Sequence, residues 1–359
     1  MNSCALLVMV GSLVLGQPGG DWFNDFKPFA DIEDRLRAMA DDRPDLCTLV
    51  DIGDSIEGRD IWALRISGSA ADKPGVLFCG TQHAREWISP MTNMFIAEQL
   101  VYGYDTDPTI RSRVDGAEIL IVPVVNPDGY VYSWTPGNRM WRKNRRPNAD
   151  GTYGVDLNRN WDAHWGDAGS SGNPSSETYR GTMPFSEPET VALSEFFIAK
   201  PNIISAIDFH SYGQKILSPY GYTYDLPADY DLFMDIGTGM QSEIAAVHGE
   251  FYEVGAAAGT LYQVSGGIKD WAYDDQGILC YTIELRPIGS PGFILPPEQI
   301  IPTCEESLAA ALYLIDRSIA IAPEPTMLLL LGMGAVTLLS GKRGRRANGV
   351  RAQMGSERR

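Results

Sequence analysis

Ile203-Ile204-Ser205-Ala206-Ile207-Asp208-Phe209-His210 is the stretch on which the fold turns. From Ile203 to Phe209 it is short and mostly apolar, without regular polar alternation, and it runs into a histidine. Strands covered on both faces read this way, because neither face meets water. Ile61–Ile66, Val76–Cys79, Ile119–Val125 and Leu279–Leu285 share the pattern. Helix-like segments lie between them. Ser186 ahead of Glu187-Pro188-Glu189 reads as an N-cap with a glutamate three residues on, and Thr303 with Glu306 repeats the device. Leu308, Leu312, Ile315 and Ile319 then share one helical face. The expected fold is a single α/β domain over 21–320: a central, mostly buried, mixed and twisted sheet with helices on both faces.

The charge balance narrows the partners. Net charge is −17, and seven of the 29 basic residues lie after position 341. Residues 1–322 therefore carry 22 basic against 44 acidic side chains, a body that repels phosphate backbones; no nucleic-acid partner is expected. Five cysteines without a Cys-x-x-Cys pair exclude a disulfide scaffold and a thiolate metal site. Cys79 and Cys280 fall in expected buried strands; Cys47 and Cys304 are left open between free and paired.

Four histidines limit the candidate chemistry to His83, His164, His210 and His248. His83-Ala84-Arg85-Glu86 places an imidazole and a carboxylate three residues apart, just past a strand end. His210 closes a second strand. Ligand sites in open α/β sheets gather at the carboxyl ends of strands. Two neutral imidazoles and a carboxylate suit Zn²⁺ and leave a coordination position open. Glu284 lies inside the apolar strand Leu279–Leu285, where a carboxylate is costly unless paired or at work; Arg286 offers a structural pairing.

Beyond these residues the chain resembles the funnelin zinc carboxypeptidases, the carboxypeptidase A, B and T group. The resemblance rests on segments in family order: Asp54-Ser55-Ile56-Glu57-Gly58-Arg59, Gly80-Thr81-Gln82-His83-Ala84-Arg85-Glu86-Trp87, Asn126-Pro127-Asp128-Gly129-Tyr130 and Met140-Trp141-Arg142-Lys143-Asn144-Arg145. Gly154-Val155-Asp156-Leu157-Asn158-Arg159-Asn160-Trp161, His210-Ser211-Tyr212, Tyr262-Gln263-Val264-Ser265-Gly266-Gly267 and Thr282-Ile283-Glu284-Leu285-Arg286 complete it. It implies one Zn²⁺ per chain on His83, Glu86 and His210, with Asp156 hydrogen-bonded to His83. It implies that Glu284 moves the proton and that Arg142 polarises the scissile carbonyl of a peptide or protein C-terminus. Asn158, Arg159 and Tyr262 would grip the terminal carboxylate, and Arg85 and Tyr212 would line neighbouring subsites. A planar guanidinium suits a carboxylate because it offers two parallel hydrogen bonds.

Counting from Tyr262 to Trp271 along the family spacing puts Lys269 at the position that sets preference for the C-terminal side chain. A lysine there favours Glu or Asp; a charge pair at about 4 Å gains on the order of 4 kcal/mol at an effective dielectric of about 20, before desolvation. The alternative is a lysine that turns to water or pairs with Asp270 or Asp225, leaving an apolar pocket lined by Leu217, Leu261 and Ala257. Two other readings are an amidohydrolase of the same family acting on cell-wall peptides and, remotely, a non-catalytic binding module of the same fold.

Both ends differ from the body. Residues 1–16 contain the apolar run Ala5–Leu15 and read as a secretory signal. Pro323-Glu324-Pro325, the apolar run Met327–Leu339 and Lys342-Arg343-Gly344-Arg345-Arg346 resemble a PEP-CTERM sorting segment over 323–346, followed by a basic tail, 347–359. That resemblance implies export to the envelope or exterior of a Gram-negative-type cell, with sorting machinery as a partner. A monomer is expected.

Overall fold

The computed structural model describes residues 20–322; the signal, sorting segment and basic tail inferred above lie outside the described residues. The first elements are α1 (Phe29–Asp42), β1 (Cys47–Asp54), β2 (Asp60–Ile66), β3 (Gly75–Gly80), α2 (Ile88–Gly103), α3 (Pro108–Gly116), β4 (Glu118–Val122) and α4 (Pro127–Ser133). There follow α5 (Pro188–Ala199), β5 (Ile203–Ser211), β6 (Lys215–Ser218), α6 (Tyr230–His248), β7 (Glu253–Ala256), α7 (Ala257–Thr260), α8 (Ile268–Gln276), β8 (Leu279–Leu285) and α9 (Ile300–Ile321). No described helix is long and apolar enough to cross a membrane.

The strands form one mixed sheet in the order β1-β2-β4-β3-β5-β8-β6-β7. β4, β3, β5 and β8 run parallel at its centre. Alternation along each central strand feeds two cores. Val76, Phe78, Ile207 and Phe209 pack into the cluster that holds α1, α2, α6 and α9. Leu77, Cys79, Ala206 and Cys280 face the opposite cluster, with Leu193 and Phe197 of α5 and Trp271 of α8. Both faces are thus dry, which is why these strands carry no polar alternation.

Three local expectations are corrected. The fourth strand ends at Val122, because Pro123 has no N–H to continue the ladder. The residue capping α5 is Glu187, without a side-chain cap bond; Ser186 Oγ donates to Glu187, and Glu189 accepts from Ile56 N at 3.1 Å. Thr303 lies inside α9, with Oγ1 donating to Gln299 O, and Glu306 pairs with Arg286. That last pair also removes the proposed Glu284–Arg286 pairing. β1, β6 and β7 went unseen: β1 is a half-exposed edge strand, and β6 and β7 have four residues each. Cys47, Cys79, Cys280 and Cys304 are all free and buried.

Candidate metal centre and active site

The strand order reverses at β3, with β4 on one side and β5 on the other. Crevices open at the carboxyl ends of strands at such a point. The chain leaving β3 turns sharply at Thr81, which holds φ +61°. A β-branched residue rarely adopts that conformation. Thr81 is kept there by Ser89 Oγ on its N–H (3.0 Å) and by its own hydroxyl donating to Pro123 O (2.8 Å). The turn carries His83 and Glu86 over the end of β5, where His210 stands.

His83 Nδ1 lies 2.9 Å from Glu86 Oε1, and His210 Nδ1 lies 2.8 Å from Glu86 Oε2. The two Nδ1 atoms are 3.0 Å apart. All three side chains are buried and converge on one point that could hold a metal. The donor chemistry fits a divalent ion. Each imidazole turns its Nε2 to a carboxylate: His83 to Asp156 Oδ1 at 3.0 Å, His210 to Asp208 Oδ2 at 2.6 Å. With the ring protons drawn to Nε2, two nitrogen lone pairs and a carboxylate face one another, an arrangement that repels itself unless a cation sits among them. Burial pulls the His210 imidazole down, but Asp208 and Glu86 overcome it and hold it well above its usual value without a metal. Burial pushes Glu86 up and the two histidines more than reverse this. Both shifts say that the point attracts positive charge.

Asp156 organises the next layer. It precedes the short 3-10 turn Leu157–Arg159 and accepts from Asn158 N at 3.1 Å. Its Oδ2 takes Nε and Nη2 of Arg142 at 3.1 and 2.8 Å. Burial opposes its charge, yet Arg142, Arg159 and His83 hold the carboxyl well below the usual range. Arg159 is buried, with Nε on Gly169 O (2.8 Å) and Nη1 on Asn158 O (2.7 Å). Asn158 Oδ1 accepts from Ile268 N at 3.1 Å. Glu284 is the one residue of β8 that reaches solvent, and its register partner on β5 is His210. Burial and the Glu86 and Asp208 charges outweigh His210 and Arg142, so its carboxyl is pushed up to about 7.

The remaining candidates lie further out. Tyr262 is half exposed, on the loop between α7 and α8. Arg85 stacks over the Phe293 ring at 4.0 Å, and Tyr212 meets the same ring edge-on at 4.8 Å; Phe293 was not anticipated. Lys269 is buried, and its Nζ lies 3.1 Å from Asp270 Oδ1. Both oxygens of Asp270 also accept from Gly221 N at 3.1 Å. The pair with Asp270, set above as the alternative to a lysine free to select an acidic residue, is the one observed. Asp208 was missed altogether. Period-two geometry puts it on the same strand face as His210, a signal legible in Asp208-Phe209-His210.

A family model for zinc carboxypeptidases matches residues 32–310. Carboxypeptidase B of Rattus norvegicus is 41% identical over 301 residues, covering 83% of this chain and 72% of the rat protein. Carboxypeptidase B of Astacus astacus is 40% identical over 291 residues, covering 80% of this chain and 94% of its own. Among solved structures, bovine thrombin-activatable fibrinolysis inhibitor, in complex with tick carboxypeptidase inhibitor, superimposes with a TM-score of 0.78 at 32% identity. That match covers 83% of this chain and 99% of the bovine one. The family match runs through the turn after β3, the end of β5 and all of β8, and with it the chain is identified as a metallocarboxypeptidase of the zinc carboxypeptidase family.

Proposed function

We propose that this enzyme removes single residues from peptide and protein C-termini, with His83, Glu86 and His210 holding the zinc and Glu284 moving the proton. The convergence of those three side chains on one buried point carries the reading. A zinc ion there supplies Lewis acidity to the scissile carbonyl and makes water acidic enough to attack near neutrality. Glu284 accepts the proton of the attacking water and passes it to the departing amine, a task open to a carboxylate that stands beside His210 at the end of β8. Arg142, oriented by Asp156, meets negative charge as it develops on the carbonyl oxygen. Asn158, Arg159 and Tyr262 hold the terminal carboxylate, and Arg85 and Tyr212 receive the residues upstream.

The preferred terminal residue is acidic. The support is a buried ammonium, Lys269, whose one hydrogen bond among the described residues goes to Asp270. An ammonium has three donors, so a substrate carboxylate shares it with Asp270. Residues 1–16 and 323–346 serve export and sorting to the cell envelope or exterior, and the enzyme acts as a monomer. The test is hydrolysis of blocked dipeptides ending in Glu or Phe, with and without a chelator, alongside zinc content. One zinc per chain, chelator-sensitive turnover and faster release of Glu are expected. Faster release of Phe overturns the acidic preference; turnover that survives complete zinc removal overturns the metal role.

A further inference from the structure

Asp208 is fully buried in β5, two residues before His210 and on the same face of the strand. Its Oδ2 lies 2.6 Å from His210 Nε2 and 2.6 Å from Gln82 Nε2, and its Oδ1 lies 3.6 Å from Cys79 Sγ. The Gln82 amide cannot be turned the other way round. Trp161 Nε1, which can only donate, lies 3.0 Å from Gln82 Oε1, so the NH₂ end faces Asp208. The carboxylate therefore acts purely as an acceptor, with a ring N–H, an amide N–H and a thiol S–H directed at it.

One competing contact has to be excluded. Asn158 Nδ2 stands 3.2 Å from His210 Nε2. The Asn158 carbonyl oxygen is committed to Ile268 N, so the amide presents N–H groups to the ring. A carboxylate oxygen has no proton of its own, so its 2.6 Å approach requires the proton on Nε2, and the longer Asn158 contact is then not a hydrogen bond. We infer that Asp208 is a positioning residue of the metal centre. It fixes the His210 ring with the proton on Nε2 and the Nδ1 lone pair aimed at the point shared with His83 and Glu86. It does for His210 what Asp156 does for His83, and both imidazoles of the site are thus backed by a buried carboxylate. Gln82, pinned between Trp161 and Asp208 and held through its backbone carbonyl by Asn126 Nδ2 at 3.0 Å, sets where that carboxylate lies.

The inference rests on His210 being a zinc ligand, so zinc stoichiometry of the parent protein is measured first; a parent that binds no zinc overturns the ligand set itself. With zinc bound, Asp208→Asn is compared with the parent by chelator competition and by the visible absorption of the cobalt(II)-substituted protein. Loss of an outer partner of this kind typically weakens metal binding 10–100-fold. The expected result is a zinc affinity at least tenfold weaker, with a shifted cobalt spectrum. A smaller loss, or an unchanged spectrum, overturns the role even if the variant unfolds at a lower temperature. Should the variant not fold, proton NMR of the zinc-loaded parent decides. A far-downfield, slowly exchanging His210 Nε2 proton is expected of a charge-assisted bond to Asp208, and a fast-exchanging one overturns it.

Discussion

Arg142 lays Nε and Nη2 on a single oxygen of Asp156, at 3.1 and 2.8 Å. The other oxygen is left for His83 Nε2 at 3.0 Å. One buried carboxylate thus aims a candidate metal ligand and an arginine at the same time. Asp156→Asn is expected to weaken zinc binding tenfold or more and to lower kcat as well. Arg142→Met is expected to keep zinc and lose about 10²–10³ in kcat. Zinc titration and steady-state kinetics on the two variants check the split.

Glu284 reaches the cleft from a strand whose other residues are buried. Glu284→Gln preserves shape and removes the proton acceptor. It should retain one zinc per chain and lose about 10²–10⁴ in turnover. Near-parental rate in a zinc-loaded variant would show that the proton moves elsewhere.

Lys269 and Asp270 are a buried pair, so removing one partner does two things. Lys269→Met should lower the kcat/KM ratio for Glu over Phe by tenfold or more, about 1.4 kcal/mol. It should also lower the unfolding temperature, because Asp270 is left buried without its counter-charge. Lys269→Arg should keep the acidic preference. Competition between two peptides differing in the last residue measures the first effect, and calorimetry the second.

Glu189 is buried beside Glu187, and burial pushes its carboxyl up to about 7 from a reference of 4.5. The folded protein then keeps a proton that the unfolded chain has already released. Its contribution to stability is complete below about pH 4.5 and is lost as pH rises toward 7, by a few kcal/mol in all. Glu189→Gln, which mimics the uncharged form, should flatten that decline. Urea unfolding of parent and variant at pH 5 and pH 8 tests it: the variant should gain on the parent at pH 8.

The central strands and the metal-binding chemistry were legible because both are local. An apolar run without alternation announces a strand buried on two faces, as Leu279–Leu285 turned out to be at every position but Glu284. His83 and Glu86 are three residues apart, and His210 closes a strand. The outer strands were less legible: β1 is half exposed without a regular alternation of buried and exposed positions, and β6 and β7 are too short for a period to emerge. Helix starts misled for a related reason. Ser186 and Thr303 have the right neighbours for caps, but Ser186 Oγ is taken by Glu187 and Thr303 already lies within a helix.

Sequence alone determined which residues bring chemistry to this protein, since imidazole, carboxylate and guanidinium carry their properties wherever they stand. Tertiary structure decided their partners. Arg286 went to Glu306 rather than Glu284, Lys269 to Asp270, and Gln82 reached 126 residues along the chain to steady Asp208. A charge in a dry interior takes its energy from whatever lies within a few ångströms, and only the folded chain sets that distance.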